Sequence, residues 1–511
     1  MAQRSWAIPP FATTPAFWLG VACLCLHLVA NNQYDVFRDE LYFIVCGQHP
    51  AFGYVDQPSL IPLIAAASYS MFGAALLPLR FLPALAMAAT VALTAEFARG
   101  LGGGRFAQTL GGLATLLAPV FLVYGLLLVT DMLQPLTWLA CSWLLAYLIR
   151  TRDERAWLAF GAVVGVSLAS KYLILFYIAG LGVGVVATPL RRSLLKPWLY
   201  GGAALAVAMT APNLWWQAAH GWPFIELGKA GASGKNIALS PVGFLLQVAL
   251  LVGPATAPLW IAGLWRLATV KSAPELRAIP IAYVAMAALF VVVHGKAYYL
   301  APIYPSLFAA GAVAFEGWLT RPAWRWVAVR IVAVSGLVTL PMVLPVLPPP
   351  QLIAYSRAIG LSPSSSAFER GAQSPLPQYF ADMFGWREMA AKVASVYQSL
   401  PPADRERAVF FGRNYGEAAA LDIYGPALGG PPVISGHNNY FLWGPRGFDG
   451  SVMIVVGGDV LKLANSYGEI EVEGRLDNPY AMPSETRIPI YVLRAPRRPL
   501  SENWPKLKHF D

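Results

Sequence analysis

Residues 36–63 read VFRDELYFIVCGQHPAFGYVDQPSLIPL and place Arg38, Asp39, Glu40, His49 and Asp56 close together, in a chain that is only 13% charged. A positioned carboxylate can take the proton of an attacking hydroxyl, and a second can orient that acceptor or a cation. The plainer reading is a pair of acids facing water just beyond an apolar segment. Two features count against it. Residues 41–62 are too apolar for an exposed loop and read as helices lying in a membrane interface, which places Asp39 beside protein and lipid headgroups. Asp56 then follows in GYVDQP, where Gly53 and Pro58 favour a tight turn.

Further charges stand at the ends of apolar runs. Asp131 lies in GLLLVTDMLQPLTWLA; either Thr130 or Asp131 caps the following helix, or Asp131 belongs to a site, and the two roles are compatible. Lys171, in GVSLASKYLILF, is costly between two apolar runs unless it snorkels or has an anionic partner. HGKAYYLAPIYP adds His294, Lys296, Tyr298 and Tyr299. Lysines and tyrosine hydroxyls converging on one cavity would suit a phosphate. His220, in NLWWQAAHGWPF, reads as an interfacial histidine in an aromatic belt.

The elements that must carry these residues are membrane helices. The chain has 511 residues, 57% of them hydrophobic, and a mean hydropathy of +0.53, the composition of a polytopic membrane protein. About eleven segments approach the length a bilayer crossing requires: residues 14–31, 76–98, 107–124, 132–149, 156–170, 172–188, 197–216, 241–265, 278–294, 298–316 and 326–346. Without a small-residue cleavage site after its apolar core, the first reads as a retained span. The net charge of +10 comes from basic clusters at 99–105, 150–155, 191–196, 266–277 and 321–325, in alternate loops. The positive-inside rule makes those loops cytoplasmic and excludes nucleic-acid binding as the first explanation of the charge. The loop 32–75, Asp131, Lys171, the segment 217–240, His294 and Lys296 then share the outer face, and an odd number of spans puts the C-terminus there too. Four cysteines, three of them in apolar segments, form no spaced framework for disulfides or zinc.

The proline run in LPVLPPPQ stops the last span. Beyond it, RAVFFGRNYGEAAALDIYG reads as strand, turn and helix, SVMIVVGGD as a buried strand and RIPIYVLRAP as a closing strand. The expected architecture is an α-helical polytopic membrane protein with a C-terminal extracytoplasmic α/β domain: residues 1–347 form the membrane domain, including the first outer loop 32–75, and residues 348–511 form the outer domain.

Taken in order, RDELYFIVCGQHPAFGYVDQPSL, TDMLQPLTW, SKYLILF, PNLWWQAAHGWPF and KAYYLAPIYP resemble the glycosyltransferase family 39 type, which includes protein mannosyltransferases and lipid A aminoarabinose transferases of GT-C fold. The resemblance covers roughly residues 32–316. It implies an enzyme of a bacterial inner membrane that moves a sugar, with inversion, from a polyprenyl-phosphate donor to an envelope lipid, polysaccharide or protein. By the same resemblance Asp39 is the catalytic base and Glu40 its neighbour, with Arg38 able to pair with either acid. Asp56 shapes the acceptor or metal side, and Lys171, Lys296 and Tyr298 meet the carrier phosphate. Asp131, His294 and Tyr299 complete the candidate substrate-binding set. A divalent metal stays open as a cofactor, although Gln57 stands where many relatives carry a histidine. The lipid-linked donor carries its own leaving group, so no dinucleotide fingerprint is expected. The rival classes are a transporter or flippase of lipid-linked sugars, disfavoured because the charges gather at one face and no inverted repeat is visible, and a non-enzymatic scaffold.

Overall fold

The computed structural model describes residues 14–233, 239–360 and 374–510. The expected segment 217–240 therefore lies partly outside the described residues.

Every segment expected to span is helical. Four helices are long and apolar enough to cross a bilayer: Phe81–Gly100, Pro274–Val292, Ala297–Trp318 and Pro322–Val343. Three bent pairs raise the number to seven, and Pro15–Ala30 and Ala156–Ser170 are shorter apolar helices. Two expected spans are broken at prolines. Residues 107–124 form Arg105–Leu117 and Pro119–Leu126 with a 64° bend, and residues 241–265 form Pro241–Leu251 and Pro254–Thr269 with a 98° bend. Proline lacks the amide and clashes with the preceding turn, so a pattern that is apolar throughout still yields two helices.

The chain forms two compact units. The first comprises the described residues of Met1–Gln33, Leu77–Trp215 and Ile237–Val346; the second comprises those of Tyr34–Leu76, Trp216–Asn236 and Leu347–Asp511. In the first, helices approach closely at small residues. A side chain at Gly311 would run into the Leu259 carbonyl, and one at Gly263 into that of Leu307, where Ala257–Thr269 crosses Tyr304–Trp318. Hydroxyls link other helices: Ser142 lies 2.6 Å from the Tyr177 hydroxyl and accepts from Ser306 at 2.8 Å.

The second unit holds a five-stranded sheet, β1 (Ala408–Gly412), β2 (Val433–Ser435), β3 (Val452–Val456), β4 (Tyr467–Leu476) and β5 (Ile488–Pro496), in spatial order β2-β1-β3-β5-β4. β1 is parallel to β2 and β3, whereas β5 is antiparallel to β3 and β4. β3 is buried along its length, as its unbroken apolar run requires. Residues 34–76 belong to this unit. Their first helix, Arg38–Gln48, departs from the interfacial reading: Leu41, Tyr42, Ile44, Val45 and Cys46 are buried against protein. The second, Leu60–Phe72, leaves Leu63, Met71 and Phe72 exposed and keeps the character expected of an interfacial helix.

Candidate active site

The polar residues gather in two clusters, one in each unit. The first is built on the helix Arg38–Gln48. A helix start leaves backbone amides without partners, and Glu40 answers one of them: its Oε2 accepts from the Phe37 amide at 2.9 Å, and its side chain is fully buried. A helical step of about 100° turns neighbouring side chains apart. Asp39 accordingly points elsewhere and keeps 28% of its side chain exposed.

Asp39 Oδ1 accepts from the Tyr415 hydroxyl at 2.8 Å and from Arg38 Nε at 3.4 Å. Among the described residues no hydrogen bond reaches Oδ2. Arg38 divides its charge between Asp39 and Asp382, whose Oδ1 is 3.5 Å from Nη1, and its guanidinium lies over the Tyr415 ring. A side chain at Gly416 would strike the Arg38 stem, so this glycine lets Arg38 lie against the helix that begins with Tyr415.

Asp56 sits in the turn that Gly53 and Pro58 promised. The two residues bridge, and the Tyr54 amide donates to the Gln57 carbonyl at 2.9 Å. Asn439 Oδ1 accepts from the Val55 amide at 2.7 Å, and Gln217 Nε2 donates to the Tyr54 carbonyl at 2.9 Å, so both sides of the turn are held. Asp56 accepts from the Tyr42 hydroxyl at 3.2 Å and from Asn438 Nδ2 at 3.4 Å. Burial, aided by the nearby charge of Asp39, raises its pKa to about 7 against the partial relief of these hydrogen bonds.

The second cluster lies in the other unit. Lys171 follows the helix Ala156–Ser170 in an extended conformation, and its Nζ is 2.6 Å from Asp131 Oδ2. The cap role considered for Asp131 does not hold. The helix Gln134–Thr151 has Leu133 at its N-cap and no side-chain cap, because the Asp131 carboxylate is turned to the lysine. The Lys171 ammonium stands over Tyr299 at 5.4 Å and Tyr298 at 5.7 Å, and Lys296 stands over the same Tyr298 ring at 6.0 Å. The two lysines, separated in sequence by several helices, thus share one aromatic ring. His294 lies just before them in an exposed left-handed turn with φ of 52°. His220 stacks on Trp216 at 4.1 Å, consistent with an aromatic belt.

Among the described residues no three His, Cys, Asp or Glu side chains stand close enough to hold a metal ion. The residues missed by sequence reasoning are Tyr42, Asp382, Tyr415, Asn438 and Asn439. One signal for Tyr415 was legible: FFGRNYGEA puts an asparagine N-cap immediately before it, at the end of a strand, and Asn414 does cap that helix by accepting from the Glu417 amide at 3.0 Å.

Residues 56–216 match the family described as dolichyl-phosphate-mannose-protein mannosyltransferase. The chain is 28% identical over 190 residues to the lipid A galacturonosyltransferase RgtD of Rhizobium johnstonii, a match spanning 36% of this chain and 39% of that protein. ArnT of Cupriavidus metallidurans, solved bound to undecaprenyl phosphate, superposes with a TM-score of 0.62 over 93% of this chain and 97% of its own, at 16% identity. Its apo form gives 0.60 at 17% identity. The chain has the GT-C fold of ArnT, is similar to the family 39 type of glycosyltransferase, and is a multi-pass membrane protein.

Proposed function

We propose that this protein is a glycosyltransferase that moves a sugar from a polyprenyl-phosphate donor to a hydroxyl of an envelope acceptor, on the outer face of a bacterial inner membrane and with inversion. The dolichyl-phosphate-mannose family description and ArnT solved with undecaprenyl phosphate favour a lipid-linked donor, and RgtD, a lipid A galacturonosyltransferase by its name, favours an envelope lipid as acceptor. The observation that carries the catalytic assignment is the contrast between two adjacent acids. Glu40 is consumed by a helix start, whereas Asp39 stays accessible with Oδ2 free of hydrogen bonds among the described residues.

In this reading the acceptor hydroxyl gives its proton to Asp39 Oδ2 as its oxygen bonds to the anomeric carbon. The bond from that carbon to the phosphate oxygen breaks, and polyprenyl phosphate leaves with the electron pair. Negative charge grows on the departing phosphate. That is the largest electrostatic demand of the step, and within their own unit Lys171 and Lys296, both over the Tyr298 ring, form a cationic cluster of the kind such a phosphate requires. Asp56, whose pKa near 7 keeps it largely protonated below neutrality, can donate a hydrogen bond to the acceptor where Asp39 accepts one.

The test is single-turnover transfer in liposomes holding the purified protein and a polyprenyl-phosphate sugar. The wild type should release polyprenyl phosphate and glycosylate an added acceptor. Asp39→Asn should fold, bind donor and lose about 10²–10⁴-fold in rate. Donor crossing the bilayer with no sugar transferred would instead establish a flippase.

A further inference from the structure

We propose that Tyr415 is a positioning residue for the transfer: its phenol holds the Asp39 carboxylate so that Oδ2 faces the acceptor hydroxyl, which makes the α/β region a working part of the site. This inference rests on the reading of Asp39 as the base.

Three observations carry it. The first is topological. Tyr415 opens the helix Tyr415–Tyr424, which follows β1, and Asn438 opens Asn438–Trp443, which follows β2. Both strands are parallel within an open sheet, and in such sheets ligands gather beyond the carboxyl ends of the strands. Here that edge is occupied by the two acids: Tyr415 bonds Asp39 and Asn438 bonds Asp56. The edge that such a fold ordinarily offers to a small molecule grips the acidic stretch instead.

The second is geometric. At 2.8 Å the phenol makes a closer contact with Asp39 than does Arg38, at 3.4 Å, which is also drawn to Asp382. Both donors reach Oδ1, so the carboxylate is oriented from one oxygen while the other is left for the proton.

The third is that Tyr415 is itself fixed. Its ring packs on Tyr42 at 4.7 Å, Arg38 lies over its face, and its amide donates to His437 Nδ1 at 3.2 Å. The charged and titratable groups facing this contact are Arg38 and Asp39 from their helix, Asp56 from its turn, Tyr42, Asp382 and His437. Burial drives the phenol's pKa well above its ordinary range, with the charge of Asp39 adding to the shift against Arg38. The phenol therefore stays protonated and donates. Proton transfer depends steeply on the placement of the accepting atom, and Asp39, partly exposed, has no other neutral donor among the described contacts to fix it.

The experiment is a double-mutant cycle on the full chain in liposomes, with a polyprenyl-phosphate sugar as donor and rates taken per donor-binding protein so that unfolded material does not count. Tyr415→Phe keeps the ring and removes one hydroxyl. It should lower the single-turnover rate about ten- to a hundredfold, as loss of a hydrogen bond to a charged group does, with the KM for donor unchanged. In an Asp39→Asn background the same substitution should change the rate no further, because the group through which Tyr415 acts is already gone. A merely structural tyrosine would give additive losses or a changed donor KM, and either result overturns the inference. A wild-type rate for Tyr415→Phe beside a slow Asp39→Asn overturns it while sparing the base assignment. An Asp39→Asn protein of normal rate overturns both.

Discussion

Asp131 stands between two apolar helices and Asp39 in the first turn of Arg38–Gln48, and their partners differ: Asp131 meets an ammonium at 2.6 Å and Asp39 a phenol at 2.8 Å. An ion pair that short cancels charge, so Asp131 serves as the counter-ion that makes Lys171 tolerable between apolar runs. A phenol orients a carboxylate and leaves its charge in place, so Asp39 retains the capacity to take a proton. The type of partner separates the two roles more clearly than burial does.

On the lysine side of this comparison the largest effect should come from Lys171→Met, which removes the cation and leaves the Asp131 carboxylate without its counter-ion. Loss of a charge-assisted contact, worth about 1.5–3 kcal/mol, should raise the KM for donor roughly ten- to a hundredfold and leave acceptor use nearly unchanged. Lys296→Met should act in the same direction by less, since it meets the cluster through Tyr298 at 6.0 Å. Asp131→Asn sharpens the point. If Lys171 serves a phosphate, freeing it from its counter-ion should tighten binding of undecaprenyl phosphate, measured by displacement of labelled lipid. Equal loss of binding in Asp131→Asn and Lys171→Met would reduce the pair to a structural bridge.

The two clusters were not equally legible in the sequence. Hydropathy located the helices because each apolar run is long, and alternate basic loops ordered them. Lys171 and Lys296 drew notice because a lysine in an apolar setting is costly, but their meeting on Tyr298 depends on helix packing that no local pattern encodes. The breaks at Pro119 and Pro254 lay in plain view, yet uninterrupted apolarity suggested continuous spans. In the α/β region β1, β3 and β5 were readable as dense apolar runs. β4 (YGEIEVEGRL) was not, because much of it is exposed at the sheet edge and charged residues occupy that side. Tyr415 and Asn438 were invisible as site residues for a physical reason: they follow different strands, hundreds of residues from the acids they touch.

A mid-sized effect concerns Asp56 and pH. Its folded pKa of about 7 lies above the value near 3.9 expected in an unfolded chain. Between about pH 4 and 7 the unfolded state releases this proton while the folded state retains it. The stability linked to the neutral acid is therefore present at low pH and lost as pH rises toward 7, by up to roughly 1.4 kcal/mol per pH unit. Asp56→Asn cannot ionise. Its melting temperature should gain on the wild type from pH 4 to 7 and hold a constant difference above about pH 7.5. Parallel curves across that range would show that Asp56 is solvated in the folded protein, and its role as a neutral donor would fall.

The smallest effect is predicted at Glu40, and it tests the comparison between adjacent acids most directly. Glu40 accepts from the Phe37 amide through Oε2 and is fully buried, and for that bond the position requires an acceptor of the right length. Glutamine supplies one: its amide oxygen can take the same backbone hydrogen bond. The exchange sacrifices the charge-assisted part of that bond and the favourable placing of an anion in the first turn, each typically worth about 0.3–1 kcal/mol. Glu40→Gln should therefore lower the melting temperature by a few degrees and change the single-turnover rate by no more than a few-fold, against the roughly 10²–10⁴-fold loss for Asp39→Asn. Glu40→Ala should cost more stability, because it leaves the Phe37 amide without this acceptor, while transfer per folded molecule stays close to that of Glu40→Gln. If Glu40→Gln abolishes transfer and Asp39→Asn does not, the base has been assigned to the wrong one of two neighbours, and the phenol on Asp39 holds a structural acid.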